Sequence, residues 1–261
     1  MSNIIKRSIT GILYAGLIVA SAYLNFYFFS FIIFLMSILT IYEFQKLILK
    51  KDIIQYLIVS FLFLLFSLTK VEKEVINTIL FISLLSNFII LFWLFNFIKE
   101  KKFIKSIIMY SYPILGCFFI ITIPYLDQSY EPTLICFVYA INWINNSFAY
   151  IIGKNFGKNK LLKKVSPNKS WEGFFGGVLF SVIFSFIFFR FEVGVDFFKV
   201  ICLSLSIPVM ATLGDLVQSK IKREAGLKDS GTLLPGHGGF FDRMDSIIFV
   251  APWAYLVLNE F

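Results

Sequence analysis

The charged residues most able to do chemistry lie in one polar stretch, Gly214 to Ser246, of an otherwise apolar sequence. This stretch holds four aspartates, five cationic residues and the one histidine of the chain. They are Asp215, Asp229, Asp242 and Asp245; Lys220, Lys222, Arg223, Lys228 and Arg243; and His237. Acids and bases at the core of a membrane protein are expensive to keep there, so a contiguous block of them indicates a functional site.

The first half of this stretch has helical spacing. We expect the preceding helix to continue past Pro208 and to end at Gly226, a residue type common just after helix ends. Asp215, Ser219 and Lys222 would then share one face, because intervals of three and four residues repeat on the same side of a helix.

The second half adds two acids with the same kind of spacing. Asp242 and Asp245 share a face if they begin the last helix. Carboxylates directed from two helix ends toward one point suit Mg²⁺, which takes one or two protein carboxylates plus phosphate oxygens of a substrate. The alternative, aspartates paired with nearby Lys and Arg on a wet loop, stays open. His237 is either a general base or, as we favour, a turn residue that donates a hydrogen bond.

A second polar segment, between residues 142 and 173, is rich in glycine and lysine. Its glycines allow close backbone approach to phosphate oxygens, and its lysines add positive charge. We expect a turn at Ser166-Pro167, and Ser170 to Glu172 should open the next helix. A basic loop at the membrane interface, with Trp171 in an aromatic belt, is the alternative reading of this segment.

Composition predicts the class of protein that carries these segments. Apolar residues make up 58% of the chain and charged residues 15%, and the mean hydropathy is +0.82. Because no Pro-, Gly- or Ser-rich linker interrupts the apolar runs, we predict a single all-α domain over residues 1–261, a polytopic integral membrane helical bundle. About nine spans are expected, near 8–24 (read as uncleaved), 26–44, 53–69, 75–98, 104–124, 132–152, 173–189, 197–213 and 246–259.

The distribution of basic residues predicts the orientation of these spans. With a cytoplasmic N-terminus, all but four of the 24 Lys and Arg fall on the inner side, as the positive-inside rule requires. The four exceptions are Lys70, Lys73, Arg190 and Lys199. Both polar segments are then cytoplasmic. The net charge of +8 follows from topology and from attraction to anionic membrane lipids, so no nucleic-acid partner is expected.

Both polar segments resemble the phosphatidate cytidylyltransferases, or CDP-diacylglycerol synthases. The family's hallmark motifs Ser-x-x-Lys-Arg, Lys-Asp-x-Gly, Leu-Pro-Gly-His-Gly-Gly and Asp-Arg-x-Asp stand here at 219–223, 228–231, 234–239 and 242–245. A second resemblance consists of Ala149-Tyr150, Gly153, Phe156-Gly-Lys158 and the stretch 166–173. Together these motifs cover much of the chain from residue 142 to 246, which is expected to carry the active site, and residues 1–130 are expected to be mainly scaffold and a path for acyl chains.

The resemblance implies an enzyme that joins CTP and phosphatidic acid into CDP-diacylglycerol and pyrophosphate, with Mg²⁺ and often a monovalent cation such as K⁺. Asp215 and Asp242 become the expected metal ligands, supported by Asp245 and Asp229. The expected phosphate contacts are Lys220, Lys222, Arg223, Lys228 and Arg243, and the expected pocket residues are Ser166, Lys169, Trp171, Ser219, Gly238 and Gly239. We count Asp245, Lys222, Arg223 and His237 with the catalytic set.

Two positions depart from the family pattern. Asn146 and Gln218 stand where the family often has acids, so metal affinity is weaker or those acids have secondary roles. Two other functions stay open: a lipid kinase that uses CTP or ATP on a polyprenol, and, less favoured, a cation-coupled transporter, which would place its charges in mid-span. We expect the protein in the cytoplasmic membrane of a bacterium, with its active site on the cytoplasmic side. Homodimerisation is left open.

Overall fold

A computed structural model describes residues 3–98, 101–126, 129–190, 195–231 and 238–260. Over these residues the fold consists of ten helices and two small antiparallel hairpins. The helices are α1 (Asn3–Leu24), α2 (Phe26–Leu47), α3 (Ile53–Leu68), α4 (Lys73–Leu94), α5 (Lys101–Tyr110), α6 (Tyr112–Thr122), α7 (Pro132–Phe156), α8 (Trp171–Phe189), α9 (Phe197–Glu224) and α10 (Phe241–Glu260). The strands are β1 (Tyr125–Leu126) with β2 (Ser129–Tyr130), and β3 (Lys160–Leu162) with β4 (Ser166–Ser170).

Several of these helices have the length and composition of membrane spans. Among the described residues six stretches qualify, namely α2, α4, Lys102–Thr122, α7, α8 and α9, and two shorter apolar helices, Ile9–Leu24 and Ile53–Leu68, accompany them. The predicted all-helical membrane bundle is confirmed, and the chain is an integral membrane protein. The count of nine spans is not confirmed, because α1, α3 and α10 are not among the six qualifying stretches.

The predicted span 104–124 consists of two helices rather than one. α5 ends at Tyr110 and α6 begins at Tyr112, with Pro113 in its first turn. Proline has no N–H to donate to the preceding turn, so it is tolerated at a helix start and interrupts a continuous helix. By contrast, the break expected between the first two spans is present, because the Asn25 side chain accepts a hydrogen bond from the N–H of Phe28 and caps α2.

The polar segment after α7 forms a hairpin where a turn was expected. Ser166 begins β4 and pairs with Leu162, and Ser170 pairs with Lys160. The prediction of a turn at Ser166-Pro167 was therefore wrong. A residue that precedes proline is biased toward extended backbone, which suits a strand.

Small residues let the last four helices approach closely. A Cβ on Gly173 of α8 would lie 2.6 Å from the carbonyl oxygen of Ala149 in α7, and one on Gly214 of α9 would lie 2.6 Å from Cβ of Phe249 in α10. Helix pairs in membranes associate through such close backbone contacts. The packing brings the end of α7, the start of α8, the end of α9 and the start of α10 to one end of the bundle.

Helix ends that the alternating topology assigns to the same side do meet. At the end that holds both polar segments, Lys220 near the end of α9 donates to the carbonyl of Trp93 at the end of α4. At the opposite end, Lys199 near the start of α9 donates to the carbonyl of Leu258 near the end of α10, 2.6 Å away. These two contacts agree with the expected alternation for α4, α9 and α10.

Candidate active site

The helix boundaries at the hallmark stretch agree with the spacing argument. α9 runs through Pro208 to Glu224, and Gly226 follows in the left-handed conformation with φ of +72°. α10 begins at Phe241, so Asp242 and Asp245 lie in its first two turns. The predictions that the helix continues past Pro208 and that these two aspartates begin the last helix are confirmed.

A cavity of about 740 Å³ lies where α7, the β3–β4 hairpin, α8, α9 and α10 converge. Six of the predicted site residues line it: Ser166, Lys169, Asp215, Asp242, Arg243 and Asp245. Another cavity, of about 540 Å³, lies at the other end of the bundle and has no carboxylate in its described lining. The two polar segments meet at the larger cavity. A reaction that uses aspartates would therefore take place there.

Asp215 and Asp245 form a pair of carboxylates in this cavity. Asp215 makes an ion pair with Lys169 of β4. Asp245 is half-buried, and its Oδ1 accepts the N–H of Ser246 at 2.7 Å. Asp245 lies just before the predicted ninth span. Its pKa is raised to about 7, chiefly by burial and to a smaller extent by the negative charge of Asp215. Two such neighbouring carboxylates are costly to ionise together unless a cation lies between them.

This pair fits a divalent cation. Carboxylate oxygens are the ligands that Mg²⁺ prefers, and it keeps other positions for water and substrate phosphate oxygens. Within the described ranges, no three His, Cys, Asp or Glu side chains cluster closely enough to hold a metal. A cation held by Asp215 and Asp245 would therefore complete its coordination with phosphate and water.

Asp242 is surrounded by protein donors instead. Its Oδ1 accepts from Nζ of Lys222 at 2.7 Å, and its Oδ2 accepts from the N–H groups of Ser230 and Gly239 at 2.9 and 3.0 Å. The side chain is only 8% exposed. Burial would raise the pKa of Asp242, but these hydrogen bonds and the ammonium of Lys222 hold it below its usual value. Metal binding by Asp242 stays a prediction, and Asp245, which lies beside Asp215, is an alternative second ligand.

The β3–β4 hairpin is fixed against the start of α8. Ser170 caps α8 and accepts the N–H of Gly173 at 3.2 Å, and the helix begins at Trp171, within the stretch predicted to open it. The Glu172 carboxylate accepts the backbone N–H groups of Lys158 and Asn159, both at 3.1 Å. These bonds hold Lys160 and Lys169 of the hairpin over the cavity.

Comparison with known proteins shows the family of the chain. The sequence profile described as the cytidylyltransferase family matches residues 5–261. The chain belongs to the cytidylyltransferase family. The phosphatidate cytidylyltransferase of Bacillus subtilis (strain 168) is 42% identical over 147 residues, which is 56% of this chain and 54% of the relative. That of Aquifex aeolicus (strain VF5) is 39% identical over 158 residues, 60% of this chain and 58% of the relative. The matches thus span little more than half the length of these curated relatives.

The cationic residues that we expected to contact phosphate do not all lie in the lining of the cavity. Arg243 lines the cavity, and Lys222, 12% exposed, is held by Asp242. Arg223 is exposed and donates to the carbonyl of Leu227 at 3.3 Å, and Lys228 is exposed away from the cavity lining.

Lys220 does not face the cavity. It is 9% exposed, and its ammonium donates to the carbonyls of Trp93 and Leu94 and, at 2.9 Å, to Oδ1 of Asn96. The ammonium also lies 4.2 Å from the centroid of the Trp93 ring. Lys220 therefore caps the C-terminal end of α4, and the expectation of a phosphate contact is corrected, because its donors are already used.

The other predicted substrate contacts are also outside the cavity lining. Trp171 is exposed and stacks on Phe175 with a centroid distance of 6.0 Å, which matches the aromatic-belt reading. Ser219 is half-buried, and Asp229 is exposed. Gly238 and Gly239 surround the Asp242 carboxylate, since a Cβ on Gly238 would lie 2.6 Å from Oδ2 of Asp242. His237 lies outside the described residues.

The two amides at family acid positions have clear partners. Asn146 lines the cavity, and its Nδ2 donates to Oγ of Ser246 at 3.2 Å. Gln218 is buried, and its Nε2 donates to the carbonyl of Phe241 at 2.7 Å. Both amides thus hold the first turns of α10 in place.

Several site residues were missed in the sequence. Lys154, Lys160, Tyr150 and Thr212 line the cavity, and the first three belong to the polar segment 142–173 that could have identified them. Glu43 of α2 is 1% exposed and contacts both ends of the 230–241 connection. The expectation that residues 1–130 are mainly scaffold stays a prediction.

Proposed function

We propose that the chain transfers the cytidylyl group of CTP to phosphatidate and releases CDP-diacylglycerol and pyrophosphate in phospholipid biosynthesis. The observation that carries this proposal is the cavity of about 740 Å³ in which the carboxylates of Asp215 and Asp245 lie among the cations Lys154, Lys169 and Arg243. Such a site suits a substrate with several phosphates, and relatives of about 40% identity are named for this reaction.

The chemistry is an in-line displacement at phosphorus. An oxygen of the phosphatidate phosphate attacks the α-phosphorus of CTP, and the bond from that phosphorus to the oxygen bridging the β-phosphate breaks, so that the electron pair leaves with pyrophosphate. The attacking phosphate is already ionised near neutral pH and needs no general base. Catalysis then rests on positioning and on neutralisation of charge.

The residues of the cavity divide this work between them. Lys154, Lys160 and Lys169 neutralise the CTP phosphates from the α7 and hairpin side, and Arg243 does so from α10. Asp215 and Asp245 would hold Mg²⁺, which when bound supplies further charge neutralisation at the phosphates. A monovalent cation such as K⁺ belongs to the same proposal and rests on the family resemblance alone.

The lipid substrate and the membrane fix the orientation in this proposal. Tyr150 at the cavity edge is 67% exposed, and Phe175 on the next helix is 61% exposed. These apolar surfaces suit acyl chains that lie in the bilayer while the phosphate reaches the cavity. The skewed distribution of Lys and Arg supports a cytoplasmic cavity in the cytoplasmic membrane of a bacterium.

A detergent assay with labelled CTP tests the proposed reaction. The purified chain is incubated with phosphatidate or a polyprenol, and the lipid products are separated. We expect CDP-diacylglycerol and pyrophosphate from phosphatidate, and loss of at least about 100-fold in rate for Asp215→Asn. A matched control is Asp196→Asn, an exposed acid at the other end of α9. A phosphorylated polyprenol, or no lipid product, would contradict the proposal.

A further inference from the structure

Glu43 is a buried carboxylate contributed by the N-terminal half of the chain. It lies near the C-terminal end of α2, and only 1% of it is exposed. A carboxylate so buried is rare unless it has partners that repay its lost hydration. Its partners come from the polar connection between α9 and α10.

One oxygen of Glu43 holds both sides of that connection. Oε2 accepts from Oγ of Ser230 at 3.0 Å and from the N–H of Phe241 at 2.9 Å. Phe241 is the first residue of α10. The N–H groups of a first helical turn have no partners within the helix and favour negative charge, so Glu43 fixes where α10 begins.

The glycines on either side of this contact are packed against the same carboxylate. A Cβ on Gly231 would lie 2.6 Å from Oε1 of Glu43, and a Cβ on Gly239 would overlap Oε2. A side chain at either position would require the Glu43 carboxylate to move from its place. Residues 231 and 239 are brought to one point on α2.

Ser230 connects Glu43 with the Asp242 carboxylate. Its Oγ lies 3.0 Å from Oε2 of Glu43 and 3.0 Å from Oδ2 of Asp242, and its N–H donates to the same Oδ2 at 2.9 Å. A hydroxyl has one proton, so it donates to only one of the two carboxylates at a time. The two acids are therefore coupled through a shared donor.

We propose that Glu43 is a positioning residue of the active site. It holds the first turn of α10 against α2 and thereby sets the place of Arg243 and Asp245 in the cavity without touching substrate. Its kinetic consequence rests on the proposed cytidylyl transfer, whereas its structural consequence does not. A displacement of about 1 Å at reacting groups is enough to lower a rate by about 100-fold.

The test compares two variants of the same helix. Glu43→Gln keeps the size of the side chain but turns an amide NH₂ or a weaker acceptor toward the donors of Ser230 and Phe241. The matched control is Gln45→Leu, which removes buried hydrogen bonds from Gln45 to Gln55 and to the carbonyl of Asp52 in the α2–α3 connection. Each variant is purified in detergent, and its kcat, its KM for CTP and its thermal midpoint are measured.

We expect Glu43→Gln to lower kcat by about 10- to 100-fold per folded molecule. Gln45→Leu should lower the thermal midpoint and leave kcat within about twofold well below that midpoint. Hydrogen–deuterium exchange should increase at residues 238–246 in Glu43→Gln and stay unchanged there in Gln45→Leu. If Glu43→Gln does not fold, Ser230→Ala, which removes the shared hydroxyl, is measured in its place and should show the same pattern.

The outcomes separate this inference from the proposed function. Unchanged exchange at 238–246 overturns the positioning role whatever the activity. Equal kcat losses in the two variants overturn it as well, because they indicate a general structural defect. A wild-type chain that makes no CDP-lipid contradicts the proposed reaction, and increased exchange in Glu43→Gln would still support the positioning role.

Discussion

Asp242→Asn should weaken the fold as well as the activity, because Asp242 is held by the protein on both oxygens. Its ion pair with Lys222 joins side chains that are 8% and 12% exposed. Removal of one partner from such a buried pair costs about 3–5 kcal/mol, since the other charge is left without compensation. An asparagine whose oxygen still accepts from Ser230 and Gly239 would direct its NH₂ group toward the Lys222 ammonium.

Asp245→Asn provides the contrast within the same helix face. An asparagine keeps an oxygen to accept the N–H of Ser246 and removes the repulsion between Asp245 and Asp215. Its free energy of unfolding should stay near the wild-type value or rise. Turnover should nevertheless be lost, because a carboxylate of the proposed Mg²⁺ site is gone.

The assay is thermal unfolding in detergent at pH 8 without divalent cations, followed by tryptophan fluorescence. For a chain of this size about 1 kcal/mol corresponds to roughly 2–4 °C, so the loss in Asp242→Asn should lower the midpoint by roughly 6–20 °C. Asp245→Asn should not lower it. An unchanged midpoint in Asp242→Asn together with a large loss in Asp245→Asn would refute the assignment of Asp242 to structure and of Asp245 to the metal.

Three other predictions follow from particular contacts. The pKa of Asp245 is raised to about 7 in the folded chain from about 3.9 in the unfolded chain. The folded state therefore binds the proton more tightly, and the free energy of unfolding measured in EDTA should fall as the pH rises from 4 to 8. Mg²⁺ should restore the melting midpoint at pH 8, and both effects should vanish in Asp245→Asn. Lys220→Met should lower the free energy of unfolding by about 1–3 kcal/mol, because carbonyls at the end of α4 lose their donor, and should leave turnover per folded molecule normal. Lys169→Met should fold normally and lose turnover. The reverse result would show that the two lysines have each other's role. A cysteine that replaces the exposed Glu72 should react with a membrane-impermeant thiol reagent in intact cells, and one that replaces the exposed Asn155 should react only after permeabilisation. The opposite pattern would show that the topology is inverted.

Local signals in the sequence predict the elements that carry the acids. Pro208 would normally end a helix, yet the repeat of polar residues beyond it indicated that α9 continues, and Gly226 with its left-handed φ marks the stop. The start of α8 after Ser170 follows in the same way from a capping residue. These boundaries depend on residues within a few positions of each other, so the sequence contains the information.

Contacts between distant parts of the chain were not predictable in this way. Glu43 follows Tyr42 near a predicted cytoplasmic boundary, where a charged residue is ordinary. Its partner Phe241 lies 198 residues later. Lys220 was read as a phosphate contact because it stands among other cations, and only the packing of α9 against α4 reveals that its ammonium is used by Trp93 and Leu94.

The roles of Asp242 and Asp245 show what periodicity cannot decide. A separation of three residues places both on one face of α10, and the sequence correctly predicted that they would be neighbours. The face is not uniform, however, because the connection from Ser230 to Gly239 folds over the first turn and supplies N–H donors to Asp242. Asp245 lies beyond the reach of those donors and meets Asp215 instead. One aspartate is therefore satisfied by protein donors, and the other lies beside Asp215, where we propose that a cation binds.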